Sequence, residues 1–143
     1  MLRRLTLSCA LLGLLACGDD PVGPSPDDGV YSLRQLNGSP LPYDHEGLGC
    51  CIYLSGSMEL DRGRYEAGIT FENRNNGQVA TIREWGTYTR PSASPVGFTR
   101  DSFVVVPLLM DVATVSVDTI RVAWGGEGPG SPDQFQALLV REP

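Results

Sequence analysis

From Gly29 to Arg141 the apolar residues alternate with polar ones, and Gly, Pro, Asn or Asp breaks the alternation about every ten residues. A period of two puts every second side chain on one face of an extended strand, and breaks at this spacing leave no room for a long helix. The clearest stretch is Arg64 to Glu72, where Tyr65, Ala67, Ile69 and Phe71 share one face and Arg64, Glu66, Thr70 and Glu72 share the other. Just before it, Met58 and Leu60 share a face, and Asp61-Arg62-Gly63 supplies turn chemistry for a hairpin.

Strands are also expected at 29–36, 49–54, 78–90, 102–107, 112–116, 118–124 and 134–141, with some of these segments merging. The nearly all-apolar run Phe103 to Val117 reads as a buried strand pair broken near Met110-Asp111, because Pro107 and the valines disfavour a helix. Consecutive strands joined by short turns predict an all-β, antiparallel up-and-down meander. Closure into a barrel of about eight strands would remove the exposed sheet edges.

The first 28 residues have another character. Arg3 and Arg4 precede the apolar run Leu5 to Ala16, the charged and hydrophobic regions of an export signal too short to span a bilayer. Leu14-Leu15-Ala16-Cys17 resembles the lipobox of bacterial lipoproteins. That resemblance implies cleavage after residue 16, lipid on Cys17, membrane attachment through that lipid, and placement in the cell envelope. Gly18 after the cysteine resembles the outer-membrane sorting pattern. Residues 17–28, rich in Pro, Gly and Asp, read as a solvated tether, and residues 29–143 as one domain.

Within that domain, Gly29-Val30-Tyr31-Ser32-Leu33, Met58-Glu59-Leu60-Asp61-Arg62-Gly63-Arg64-Tyr65 and Gly86-Thr87-Tyr88-Thr89 resemble small bacterial lipoproteins classed as lipocalin-like. Lipocalins open on Gly-x-Trp and pack a late Arg across that Trp; here Tyr31 takes the aromatic place and Arg141 is available for the other. A second resemblance is to the META-type heat-shock lipoprotein domain, whose Gly-Cys-Asn becomes Gly49-Cys50-Cys51 here.

Chemistry-bearing residues are few. The chain carries 11 Arg, no Lys and 17 acids, a net charge of −6 that excludes a basic nucleic-acid footprint. One histidine, His45, lies between Asp44 and Glu46, with no Gly-x-Ser-x-Gly and no regular ligand spacing, so a polar loop is expected there, with no catalytic residue, metal or cofactor. Cys50 and Cys51 are candidates for a vicinal or intermolecular disulfide, for two unpaired thiols on opposite faces of a strand, or for soft-metal work.

Glu84 has two readings. If Tyr88 faces inward, strict alternation takes Glu84 into the interior with it. With the other parity Trp85 lies inside, and a bulge at Gly86 would turn both aromatics inward. A surface Glu84 paired with an arginine is the plainer expectation.

The leading expectation is a non-enzymatic, lipid-anchored envelope protein whose barrel binds a small apolar ligand through Tyr65, Phe71, Trp85, Tyr88 and Trp124. The alternative is a structural or protein-interaction module of the envelope without such a ligand. A roomy cavity would favour the first; a solid core with an exposed apolar patch near Val104 to Met110 would favour the second.

Overall fold

The computed structural model describes residues 25–44, 50–89, 95–105, 107–108, 110, 112–116, 118–125 and 134–143. The leader, Cys17, residues 17–24 of the tether, His45 and Glu46 lie outside them. Ten strands form, β1 Gly29–Leu36, β2 Ser39–Pro40, β3 Tyr43–Asp44, β4 Cys51–Asp61, β5 Arg64–Asn73, β6 Val79–Thr89, β7 Val96–Val104, β8 Val112–Ser116, β9 Thr119–Trp124 and β10 Phe135–Arg141. The order from β4 through β10 follows the chain, β10 pairs with β1, and β1 pairs with β4, so eight antiparallel strands close a barrel. The short β2 and β3 extend the sheet order at its two ends, beside β1 and β4.

Local chemistry fixes the turns. Asn37-Gly38 and Arg62-Gly63 both occupy the left-handed region in succession, which is what a two-residue hairpin of the sheet's own twist requires. The expected segments 49–54 and Ser57–Asp61 merge into β4 through a bulge at Leu54, which brings Tyr53 opposite the inward-facing Phe71. β7 begins at Val96, earlier than the expected 102, because Val96 and Phe98 continue the alternation and Gly97 and Phe98 pair with Thr89 and Tyr88.

Apolar side chains from all eight barrel strands pack the interior. Tyr31, Leu36, Met58, Leu60, Ile120 and Leu139 have essentially no solvent exposure, and Leu33, Tyr65, Ile69 and Trp124 close around them. Each such side chain contributes about 1.5–3 kcal/mol by leaving water. Tyr65 lies opposite Gly86, where an added Cβ would come within 2.1 Å of the Thr99 carbonyl oxygen and 2.9 Å of the Tyr65 ring. Glycine at 86 is therefore a packing requirement.

One end of the barrel is closed by residues expected to end the tether. The Tyr31 hydroxyl donates to the Asp27 carbonyl at 2.8 Å, and Arg141 donates to the carbonyls of Pro26 and Asp28. The Arg141 guanidinium also lies 5.4 Å from the Tyr31 ring centre, so these two residues make the cation-on-aromatic contact anticipated for them. Ser25–Asp28 are docked because their backbone carbonyls meet these donors. The Asp28 carboxylate accepts from the Tyr88 hydroxyl at 2.6 Å and from the Arg62 N–H at 3.2 Å.

The expectation of a buried strand pair over Phe103 to Val117 is corrected. The described ladder between β7 and β8 covers only Val96 with Ala113 and Gly97 with Val112, the residue at which β8 begins. Thr99 to Val104 are exposed on both faces, with Phe103 at 45% and Val104 at 48%. Val105, with φ of 79° at a β-branched residue, turns the chain out of the strand, and Leu108 and Met110 then enter the core. The described part of the apolar run is thus divided between the exposed end of β7, still paired with β6, and side chains in the core.

Candidate functional site

The parity of β6 decides what lies inside. Glu84, Gly86 and Tyr88 face the interior opposite Ala67, Tyr65 and Phe98, and Trp85 faces outward opposite Glu66. A bulge does occur here, but in the partner strand: Trp85 pairs with Ser102 and Gly86 with Arg100, which leaves Asp101 as the extra residue in β7. The alternation of β6 is therefore unbroken. Trp85 drops out of the interior group, and Glu84, for which a surface position was the plainer expectation, is fully buried.

A buried carboxylate is tolerated only when donors surround it. The Tyr65 hydroxyl donates to Glu84 Oε1 at 2.9 Å, the Leu108 N–H donates to Oε2 at 2.8 Å, and Arg100 Nη1 stands 3.6 Å from Oε2. The Arg100 side chain is 36% exposed and passes 5.8 Å from the Phe103 ring centre, so it links this interior group to the exposed end of β7. Burial, with the Glu84 hydrogen bond and charge acting the same way, raises the Tyr65 pKa far above its ordinary value and keeps the hydroxyl protonated. Leu108 is held from its other side as well, its carbonyl accepting from the Gly125 N–H at 2.6 Å. Trp124 is buried too, and its Nε1–H meets no acceptor among the described residues.

The other expected ligand residues separate. Tyr65 lies beside Glu84. Tyr88 lies at the closed end, where burial and the bond to Asp28 push its pKa up to about 12. Phe71 belongs to a cluster at the opposite end, where the Tyr53 ring lies 6.4 Å from Phe71 and 5.1 Å from Phe135, and Tyr43 lies 6.3 Å from Phe135. Cys50 and Cys51 form a disulfide with each other at the start of β4. The Cys50 carbonyl accepts from the Arg74 N–H at 2.9 Å, and Arg74 is ion-paired with Asp44.

Among the described residues, two hollows lie on the outside of the barrel. One, of about 440 Å³, runs over β4, β5 and β6 and is lined by Ser57, Glu59, Glu66, Gly68 and Arg83 among others; the second, of about 280 Å³, shares Glu59 and Glu66 and is bounded by Trp85. Sequence reasoning did not find this surface, because outward-facing polar residues on a strand look the same whether they meet water or a ligand. The signal that was available is a glycine, Gly68, in the middle of the clearest alternating strand.

The strands and these sites define a closed, antiparallel eight-stranded barrel of meander topology. Comparison with family models, with curated proteins and with solved structures finds no match to this chain.

Proposed function

We propose that this chain is a lipid-anchored, non-enzymatic lipoprotein of the bacterial envelope that works as an interaction module, taking an extended segment of a protein partner along the distal half of β7. The observation that carries the reading is the exposure of Thr99 to Val104 on both faces of a strand whose described pairing with β8 ends at Gly97. Such a strand presents unpaired backbone groups to a partner. The bulge and charge at Asp101 oppose casual pairing and leave Ser102, Phe103 and Val104 as the part that fits an apolar strand.

Val104 lies six residues along β7 from Phe98, the partner of Tyr88, so the patch sits about 20 Å from the end at which Ser25 enters. A lipid on Cys17 would then hold the patch away from the membrane. The large apolar side chains packed inside the barrel support this reading over a roomy cup.

A small ligand inside the barrel is the second reading, favoured by Glu84 and by the unspent Trp124 N–H. Leu108 brings to that carboxylate what such a ligand would bring, an N–H donor on an apolar body.

The test is site-specific photo-crosslinking in the native envelope from position 103, with position 72 as control, beside native mass spectrometry of the purified chain. An adduct of one defined mass from position 103, lost in Val104→Glu, is the expected result. Equal labelling from both positions, or a small molecule released on unfolding without any adduct, would overturn the interaction reading.

A further inference from the structure

The outward face of β4, β5 and β6 breaks two rules of sheet construction at adjacent positions. Glu59 and Glu66 stand directly opposite each other on neighbouring strands, an arrangement that like charges destabilise. The described counter-charge is a loose one: Arg83 Nη1 lies 3.8 Å from Glu66, and Glu59 has no ion-pair partner among the described residues. One step along β5, Gly68 occupies a mid-strand position where a side chain would stabilise the sheet. Packing does not demand this glycine, since an added Cβ would meet its nearest neighbour, the Ile82 carbonyl oxygen, at an ordinary 3.5 Å. Gly86, by contrast, is enforced by a 2.1 Å approach.

A missing side chain that the fold itself does not need keeps space open outside the barrel. The pairings arrange that space as a grid. Val30, Glu59, Glu66 and Trp85 form one row across four strands; Ser32, Ser57, Gly68 and Arg83 form the next; Ser55, Thr70 and Thr81 form a third. Strands about 4.8 Å apart and same-face rows about 7 Å apart spread these polar groups over the floor of the groove. The volume of about 440 Å³ lies in the range of ligand sites.

We propose that this groove binds a glycan. A sugar carries C–H groups on the faces of its ring and hydroxyls around its edge. Trp85, half-buried and outward, borders the adjoining hollow of about 280 Å³ that shares Glu59 and Glu66, and offers an aromatic surface to the former. Glu59 and Glu66 accept from paired hydroxyls, Arg83 donates, and Ser57 and Thr81 do both. Gly68 is the floor over which the ring passes. A bare divalent cation fits poorly, since no group of three His, Cys, Asp or Glu converges among the described residues. The hydroxyls and Arg83 would be surplus for a simple organic cation. The inference is independent of the protein contact proposed at β7, because changes at Gly68 leave Phe103 and Val104 in place.

The test is amide and indole NMR on the full chain titrated with chitohexaose, maltohexaose and, separately, spermidine. Saturable shifts of the Trp85 indole N–H and the Gly68 amide with one of the oligosaccharides are expected. Gly68→Thr is expected to weaken that binding at least tenfold while the thermal midpoint stays level or rises, because threonine suits the strand and fills only the groove. Glu59→Gln, which removes the like-charge opposition, should likewise weaken binding in a chain no less stable than the parent. The proposal is overturned if neither oligosaccharide moves these signals at millimolar concentration, if spermidine alone does so, or if binding survives Gly68→Thr.

Discussion

The bond between Tyr65 and Glu84 sets a measurable coupling. Glu84 is fully buried and accepts from the Tyr65 hydroxyl at 2.9 Å and the Leu108 N–H at 2.8 Å. Glu84→Leu removes the charge and its desolvation cost but leaves both donors buried without an acceptor, at about 1–3 kcal/mol each. A net loss of about 2–5 kcal/mol is expected. Tyr65→Phe keeps the ring against Phe98, 4.9 Å between centres, and removes one donor to a charged acceptor, worth about 1.5–3 kcal/mol. Once Glu84 is gone, the hydroxyl has nothing to bond, so the second substitution should then cost little. The double-mutant cycle, measured by urea unfolding with circular dichroism, should give a coupling of about 1.5–3 kcal/mol. A coupling below about 0.5 kcal/mol, or a Glu84→Leu variant as stable as the parent, would refute the claim that this carboxylate organises the interior.

Three further outcomes follow from the same geometry. Gly86→Ala should lower the urea midpoint by an amount corresponding to about 3 kcal/mol or more, since its Cβ would stand 2.1 Å from the Thr99 carbonyl oxygen; a loss under about 1 kcal/mol would mean that β7 yields freely. The pH limits of stability should carry the Asp28–Tyr88 pair. Burial pushes the Asp28 carboxyl up, but the bonds from Tyr88, Ser25 and Arg62 outweigh it and hold it below its ordinary value, so its contribution is full at neutral pH and is lost as pH falls below about 4. Tyr88, raised to about 12, contributes fully below about pH 10 and loses that contribution as pH climbs to about 12, so Tyr88→Phe should flatten both limbs of a stability-versus-pH curve. Arg141→Ala removes the donor to the Pro26 and Asp28 carbonyls, and hydrogen exchange at Asp27 and Asp28 should accelerate while the Glu84 end of the barrel keeps its protection.

The barrel was legible in the sequence because its information is local. Arg64 to Glu72 states its own inner face, Asn37-Gly38 and Arg62-Gly63 state their turns, and a chain of such hairpins with both faces specified has few ways to end except by closing. Tyr31 and Arg141 could be matched through resemblance although 110 residues separate them. The position of Glu84 was not legible. Its parity depends on which strand absorbs the extra residue near Gly86, and the deciding bulge lies at Asp101 in β7, a strand whose own start was misplaced. The division of Phe103 to Met110 into an exposed ribbon and a buried filling was equally hidden, since apolar composition alone favours burial throughout.

Both kinds of departure separate positions the fold requires from positions it merely tolerates. Gly86 and Glu84 violate strand preferences, yet each has a partner that explains it: the Thr99 carbonyl fills the space beside the glycine, and Tyr65 and Leu108 satisfy the acid. Among the described residues Gly68 has no such partner, and the Glu59–Glu66 opposition has only Arg83, 3.8 Å from Glu66. Substituting the first pair should cost stability, because the energy of the barrel is arranged around them. Substituting the second pair should cost little, because packing does not demand Gly68 and only the loose Arg83 contact opposes the Glu59–Glu66 repulsion, which is the result the groove proposal requires. The contrast between Gly86→Ala and Gly68→Thr in one unfolding experiment therefore tests the assignment of the outer groove before any ligand is known.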